Sequence, residues 1–142
     1  MDAKKYLQQV RTLESRIKNK QMELEYLKDQ MILPSHHSDN TKVQTSRTVN
    51  KYDDPIAFYM DKEKKKLQEI DECMEKRDAI IKVIECLQNP MEYDVIFMLY
   101  VLGQGGQTVA QSLDRSYSWV TSTHKTALQH IQAILDSNNE DK

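Results

Sequence analysis

The sequence predicts an all-α fold, a long two-helix coiled coil followed by a small helix-turn-helix domain, and three observations point there. Turn formers are scarce: 142 residues contain three Gly and three Pro, while 39% are hydrophobic and 30% charged, a balance that suits helices. Before Asn89-Pro90, apolar residues recur at alternating spacings of three and four, which is the period of a helix seam. After Pro90 that repeat gives way to three shorter amphipathic segments.

The first element is a helix within 1–33. Val10, Ile17, Leu24 and Met31 occupy one seam position, and Tyr6, Leu13, Lys20 and Leu27 the other. A helix of about 28 residues would extend roughly 42 Å, too long to bury its stripe without a partner. Pro34 ends the pattern. Residues 34–54 hold almost nothing apolar and many Ser, Thr, Asn and Asp, so a flexible polar linker is expected. A second long helix over 55–89 opens at Asp54-Pro55, where Asp can cap the free amides and Pro suits the first helical position. Its seam reads Ile56, Met60, Leu67, Ile70, Met74, Ile81 and Ile84, with Glu63 and Arg77 inside it. Lys20, Glu63 and Arg77 are read as devices that set register and orientation. Spacing leaves open whether the helices pair within one chain or between two, and the length of both seams leads us to expect at least a homodimer.

The helix-turn-helix domain is placed over 90–136, with 137–142 as a disordered tail. Its first segment, MEYDVIFMLYVLG, puts Tyr93, Ile96, Phe97, Tyr100 and Val101 on one face. Two helices that cross closely need a small residue in the middle of the first and a sharp turn after it. Ala110 is that small residue, Val109 and Leu113 face the core, and Asp114 sits at the turn, where positive φ is tolerated. Ser116 can cap the next helix, and Val120 begins a buried stripe with His124, Ala127, Leu128 and Ile131. The stretch 95–102 is apolar all round, which normally means burial on more than one side. Val95, Leu99 and Leu102 are therefore expected to form a dimer interface or a docking surface for another protein.

Several classes are set aside. No run of 18 apolar residues exists to span a bilayer, and the amino terminus MDAKKYLQQV carries charge where a secretion signal needs its apolar run, so no membrane partner is expected. Cys73 and Cys86 lie 13 positions apart on one expected helix and cannot pair within it. The adjacent His36 and His37 diverge on any regular element, and His124 has no Cys or carboxylate at ligand spacing, so neither metal nor cofactor is expected. The hydroxyl cluster Ser116, Ser118, Thr121, Ser122 and Thr123 lacks the base that would activate a nucleophile and better suits hydrogen bonds to phosphate. GQGG lacks the strand and lysine of a phosphate loop, and no enzyme activity is expected. Lys62–Lys66 (KEKKK), followed by Glu69, Asp71, Glu72 and Glu75, reads as a solvated mixed-charge face. Lys42, Arg47 and Lys51 are scattered in the linker. Trp119 either packs against the coiled coil or a partner subunit, the favoured reading, or stacks on a base or wedges a groove. Net charge is +2 over 1–54, −1 over 55–89 and −3 over 90–142, so the part expected to bind DNA is the most acidic.

The segments MDAKKYLQQVRTLESRI, PMEYDVIFMLYVLG and VAQSLDRSYSWVTSTHKTALQHI resemble small phage and prophage proteins related to late-gene transcription regulators. Their carboxy-terminal domain is similar to the DNA-binding fourth region of bacterial sigma factors. The resemblance covers both ends of the chain and leaves the linker unmatched. It implies a dimeric, cytoplasmic regulator in a bacterial host, with DNA as partner and host RNA polymerase or another host protein beside it. The alternative is an adaptor or inhibitor that binds a host protein through the same scaffold. Carried over by position, the recognition helix begins at Tyr117, and Tyr117, Ser118, Thr121, Ser122 and Lys125 face the major groove. Arg115 and Lys125 are expected on phosphates, with Ser116 as the cap. The family's basic positions on the third and fifth helices are here Leu99, Leu102 and Ser122, and Gly105-Gly106 stands where a stronger helix start is usual.

Overall fold

A computed structural model describes residues 1–32 and 54–141. The expected linker, with His36, His37, Lys42, Arg47 and Lys51, lies outside the described residues except for Asp54. Within them the chain is helical, with no strand. The elements are α1 (Ala3–Ile32), α2 (Pro55–Glu85), α3 (Pro90–Ile96) continued by a π-helical stretch Phe97–Val101, α4 (Gly106–Leu113) and α5 (Tyr117–Glu140). No helix among them is long and apolar enough to cross a membrane.

Starts and stops follow local chemistry. Asp54 Oδ1 accepts from the Ile56 and Ala57 amides at 3.0 and 3.3 Å, capping α2 as the Asp-Pro pair predicts. Asn89 Oδ1 accepts from Met91 N at 2.9 Å, and Pro90 fills the first position of α3. Residues 137–140, expected as a disordered tail, instead continue α5.

The chain divides into two compact units, Met1–Glu14 with Met74–Lys142, and Ser15–Cys73. The first unit, here the core unit, gathers the start of α1, the end of α2 and everything after it. Its centre holds Leu7, Val10, Ile84, Val95, Ile96, Val109 and Ile131, all fully buried. The beginning of α1 is tied to α5: the Ala3 amide donates to Gln132 Oε1 at 2.8 Å. This contact corrects the expected division, in which 1–33 stood apart from 90–136. The reason is that Ala3 and Val10 share one seam position a heptad apart and Leu7 stands beside the seam, all three buried in this unit.

The second unit, Ser15–Cys73, is a helical hairpin. Lys20 Nζ pairs with Glu69 Oε2 and Lys66 Nζ with Glu23 Oε2, both at 3.0 Å, so α1 and α2 run antiparallel here within one chain. Half of the seam expected for α2 holds, since Ile70 and Ile84 are buried and Glu63 and Arg77 half-buried, and the other half is displaced by one residue. Ile56, Met60 and Leu67 are exposed, whereas Ile70 and Cys73 are buried and Tyr59, Glu63 and Lys66 lie half-buried between them. The observed line, Tyr59, Glu63, Lys66, Ile70 and Cys73, has the same alternating spacing as the expected one. Polar residues hid it. Tyr59 donates to Glu63 Oε2 at 3.0 Å, which satisfies a carboxylate that would otherwise sit unpaired along the seam.

Candidate nucleic-acid interface

The candidate site lies in the core unit, where α3, α4 and α5 meet. Val95, Val109, Ala110 and Val120 form a buried cluster, with Met98, Leu99, Leu113 and Trp119 packed on it. The small side chain of Ala110 lets α4 approach α5 closely. The turn between them is closed by the Asp114 amide donating to Gln111 O at 3.2 Å and the Arg115 amide to Ala110 O at 2.9 Å. This is the bonding of a Schellman motif, and it requires left-handed backbone at Asp114, where φ is 56°. Ser116 Oγ then accepts from the Trp119 amide at 3.0 Å and caps α5. Asp114 and Ser116 thus stand where the sequence reading put a turn and a cap.

At the start of α5 the Tyr117 ring lies against Gly106. A Cβ on Gly106 would fall 2.7 Å from Tyr117 Cε2, so a larger residue there would have to push the exposed Tyr117 ring aside. Tyr117, Ser118, Thr121, Ser122 and Lys125 are all exposed, as are Arg115 and Ser116. These seven residues share the outward side of the turn and helix. Thr121 Oγ1 donates to Tyr117 O at 3.1 Å, which engages its hydroxyl proton and leaves its methyl free. Arg115 lies 4.9 Å from the centroid of the Trp119 ring, a cation–π contact that steadies the guanidinium. Trp119 itself is half-buried against the apolar cluster, so packing accounts for it. Beside this face an open cavity of about 390 Å³ is lined by Arg115, Trp119, Ser122 and Thr126 among others.

Val95, expected at an interface, is wholly buried, and Leu99 packs on the same cluster; Leu102 alone of the three is exposed. The π-helical stretch explains this. Leu102 N bonds back to Phe97 O at 3.0 Å, and the widened turn swings Leu102 outward while Val95 and Tyr100 stay under α4 and α5. Val95, Ile96 and Tyr100 of this stretch are buried, and Met98 and Leu99 pack on the cluster shared with α4 and α5.

His124 is a core residue, its Nε2 2.7 Å from the Tyr100 hydroxyl. Burial, with a smaller contribution from Lys4, holds its pKa below the ordinary value, which favours the neutral ring. Glu92 went unnoticed in the sequence. It is buried, and its Oε1 lies 2.6 Å from His130 Nδ1, linking α3 to α5. Thirty-eight positions separate the two, so no local pattern announces the pair. Cys73 and Cys86 are both free thiols, and among the described residues no group of three His, Cys, Asp or Glu could hold a metal ion. The chain matches no family model, no curated protein and no solved structure.

Proposed function

We propose that this chain is a DNA-binding transcriptional regulator of the phage or prophage type, in which α4, the Asp114 turn and α5 form a helix-turn-helix and α5 is the recognition helix. One observation carries the reading. The left-handed turn and the Ser116 cap occur together with a buried Val109–Ala110–Val120 cluster and a wholly exposed opposite side of α5. That combination aims a helix start outward, as groove reading requires. In this reading Arg115 and Lys125 contact phosphates, Ser116 and Ser118 donate to phosphate or sugar, and Tyr117, Thr121 and Ser122 lie against base edges. The Thr121 methyl suits a thymine methyl, because its hydroxyl proton is already engaged.

A second copy is part of the proposal, on grounds different from the seams. The seams pair with each other inside one chain, but the hairpin leaves Met22, Tyr26, Ile56, Met60 and Leu67 between 48 and 64% exposed. These side chains are the material for a contact between hairpins. The alternative, an adaptor that binds a host protein through the same scaffold, would have Leu102 and the half-buried Leu99 as its surface, while Val95 is buried.

Binding to duplex DNA upstream of its own coding sequence, read by fluorescence anisotropy at several salt concentrations, tests the function. Lys125→Ala is expected to weaken binding on every sequence and to lower the slope of log K against log salt by about 0.9, one phosphate contact. Ser122→Arg is expected to tighten binding without regard to sequence. Salt-independent binding, or none, overturns the reading.

A further inference from the structure

The outward side of α5 carries two cations, Arg115 and Lys125, in the most acidic stretch of the chain. Two basic residues distant in sequence are brought to its border. The Ala3 amide bond to Gln132 docks the first turn of α1 along α5, and Gln132 Nε2 also reaches Met1 O at 3.4 Å. From there Lys4, Gln8 and Arg11 follow one another at helical spacing along one side of α1, next to buried Leu7. At the other end of the stripe, Arg11 Nη1 donates to Val101 O at 3.5 Å, and its guanidinium fills the space where a Cβ on Gly103 would sit. The stripe therefore runs from the middle of α5 to the loop that leads into α4, the two elements that frame the proposed groove-facing surface.

We infer that this Lys4–Gln8–Arg11 edge of α1 is a second DNA-backbone contact, a basic rim that lies along the phosphates flanking the groove that α5 occupies. The inference rests on the helix-turn-helix reading and deepens it. All three side chains are exposed, and neither Lys4 nor Arg11 makes an ion pair among the described residues. The acids nearby are accounted for as follows. Glu14 is held by Arg77 at 3.2 Å, Asp136 accepts from Gln132 at 3.1 Å, and Glu92 is buried against His130. Asp2 near Tyr100 and Asp114 at the turn remain as opposing charges. The partner's chemistry is fixed by the spacing. Lys4 and Arg11 are seven residues apart on a helix, about 10 Å at 1.5 Å per residue, which fits a ridge of repeating phosphates better than a single small anion.

The experiment compares salt slopes on one duplex. Lys4→Gln with Arg11→Gln is expected to lower the slope of log K against log salt by about 1.8, two phosphate contacts, on specific and non-specific duplexes alike. Gln8→Lys, which adds a charge in the middle of the stripe without touching the core, is expected to raise it by about 0.9. Lys64→Gln with Lys65→Gln, exposed cations of the hairpin, is the charge-matched control and is expected to leave the slope unchanged. Thermal unfolding of each variant separates lost contacts from lost structure. If the wild-type chain binds with a salt-dependent slope and the stripe variants keep it, or if the hairpin control changes it as much, the rim is wrong and the helix-turn-helix reading stands. If the wild-type chain binds no duplex at any salt concentration, both fall.

Discussion

The core unit and the hairpin draw on the same two helices and hold them by different chemistry. In the core unit α1 contributes Ala3, Leu7 and Val10, and α2 contributes Ile80, Val83 and Ile84, every one buried. In the hairpin the buried residues thin out to Ile17, Ile70 and Cys73, and the rest of the line is Lys20, Glu63 and Lys66 with Glu23 and Glu69 beside them. Apolar burial scales with area removed from water, whereas half-exposed ion pairs add little stability and act mainly on which partner and register are chosen. The core unit is therefore held by burial, and the hairpin's ion pairs act mainly on partner and register.

The largest expected effect breaks the core unit. Ile131→Ala, at a residue with no exposed surface, should destabilise the protein by about 2–5 kcal/mol, whereas Leu24→Ala in the half-buried hairpin should cost about 1 kcal/mol. Chemical denaturation of both variants checks the ratio. Equal losses would mean that the two regions are held alike.

A smaller effect tests the turn that separates α4 from α5. Asp114 has left-handed backbone, so Asp114→Gly should be neutral or stabilising, and Asp114→Val should cost about 1–2 kcal/mol. Ser116→Ala removes the cap and should cost about 1 kcal/mol. Thermal unfolding reads all three.

Acid should separate the regions in order. Burial, ahead of Lys4, lowers the His124 pKa below its ordinary 6.5. The folded core unit therefore prefers the neutral ring. Its contribution is complete above about pH 6.5 and is lost as pH falls through the lowered value. In the hairpin, Glu69 is lowered below its ordinary 4.5, first by the hydrogen bond from Lys20 and then by the charges of Lys20 and Lys66, with burial opposing. Its contribution is present above about pH 4.5 and is lost below, and it is small because the pair faces water. Melting curves from pH 7.5 to 3.5 should weaken first in the His124 window, and His124→Gln should flatten that part alone. Lys4→Gln should raise the His124 pKa slightly, which a proton NMR titration can follow.

The sequence was most readable where one residue type serves one geometry. Asp54-Pro55 and Ser116 each make the cap expected of them and Asp114 the left-handed turn, while Asn89-Pro90, read only as a change of pattern, also proves to be a cap. The pattern misled where two lines of equal spacing overlap on α2. Met60 and Leu67 look like seam residues because they are apolar, yet Tyr59 and Lys66 stand in their place, Tyr59 donating to Glu63 and Lys66 paired with Glu23 of α1. Periodicity weighs hydrophobicity and is blind to a satisfied charge. The exposed side of α5 was legible from Val120, Ala127 and Ile131 opposite it. The docking of α1 on Gln132 and the Glu92–His130 link were not, since both join residues far apart with no local signal. Val95 shows the same limit, because an apolar stretch does not say whether its own chain or another will cover it.

The hydrogen bond from Ala3 to Gln132 closes a span of 129 positions, and this sets an order of events during synthesis. At about 5–20 residues per second, α5 follows α1 out of the ribosome by many seconds. In that interval the hairpin can close on its own local partners, while Leu7 and Val10 have no finished core to enter. The start of α1 is thus among the last parts to be fixed, although it is made before α5. A nascent chain halted before Ile131 should bind a hydrophobic dye that the released protein does not, and a chaperone acting on this protein should find its substrate at the start of α1 rather than at the helix emerging last.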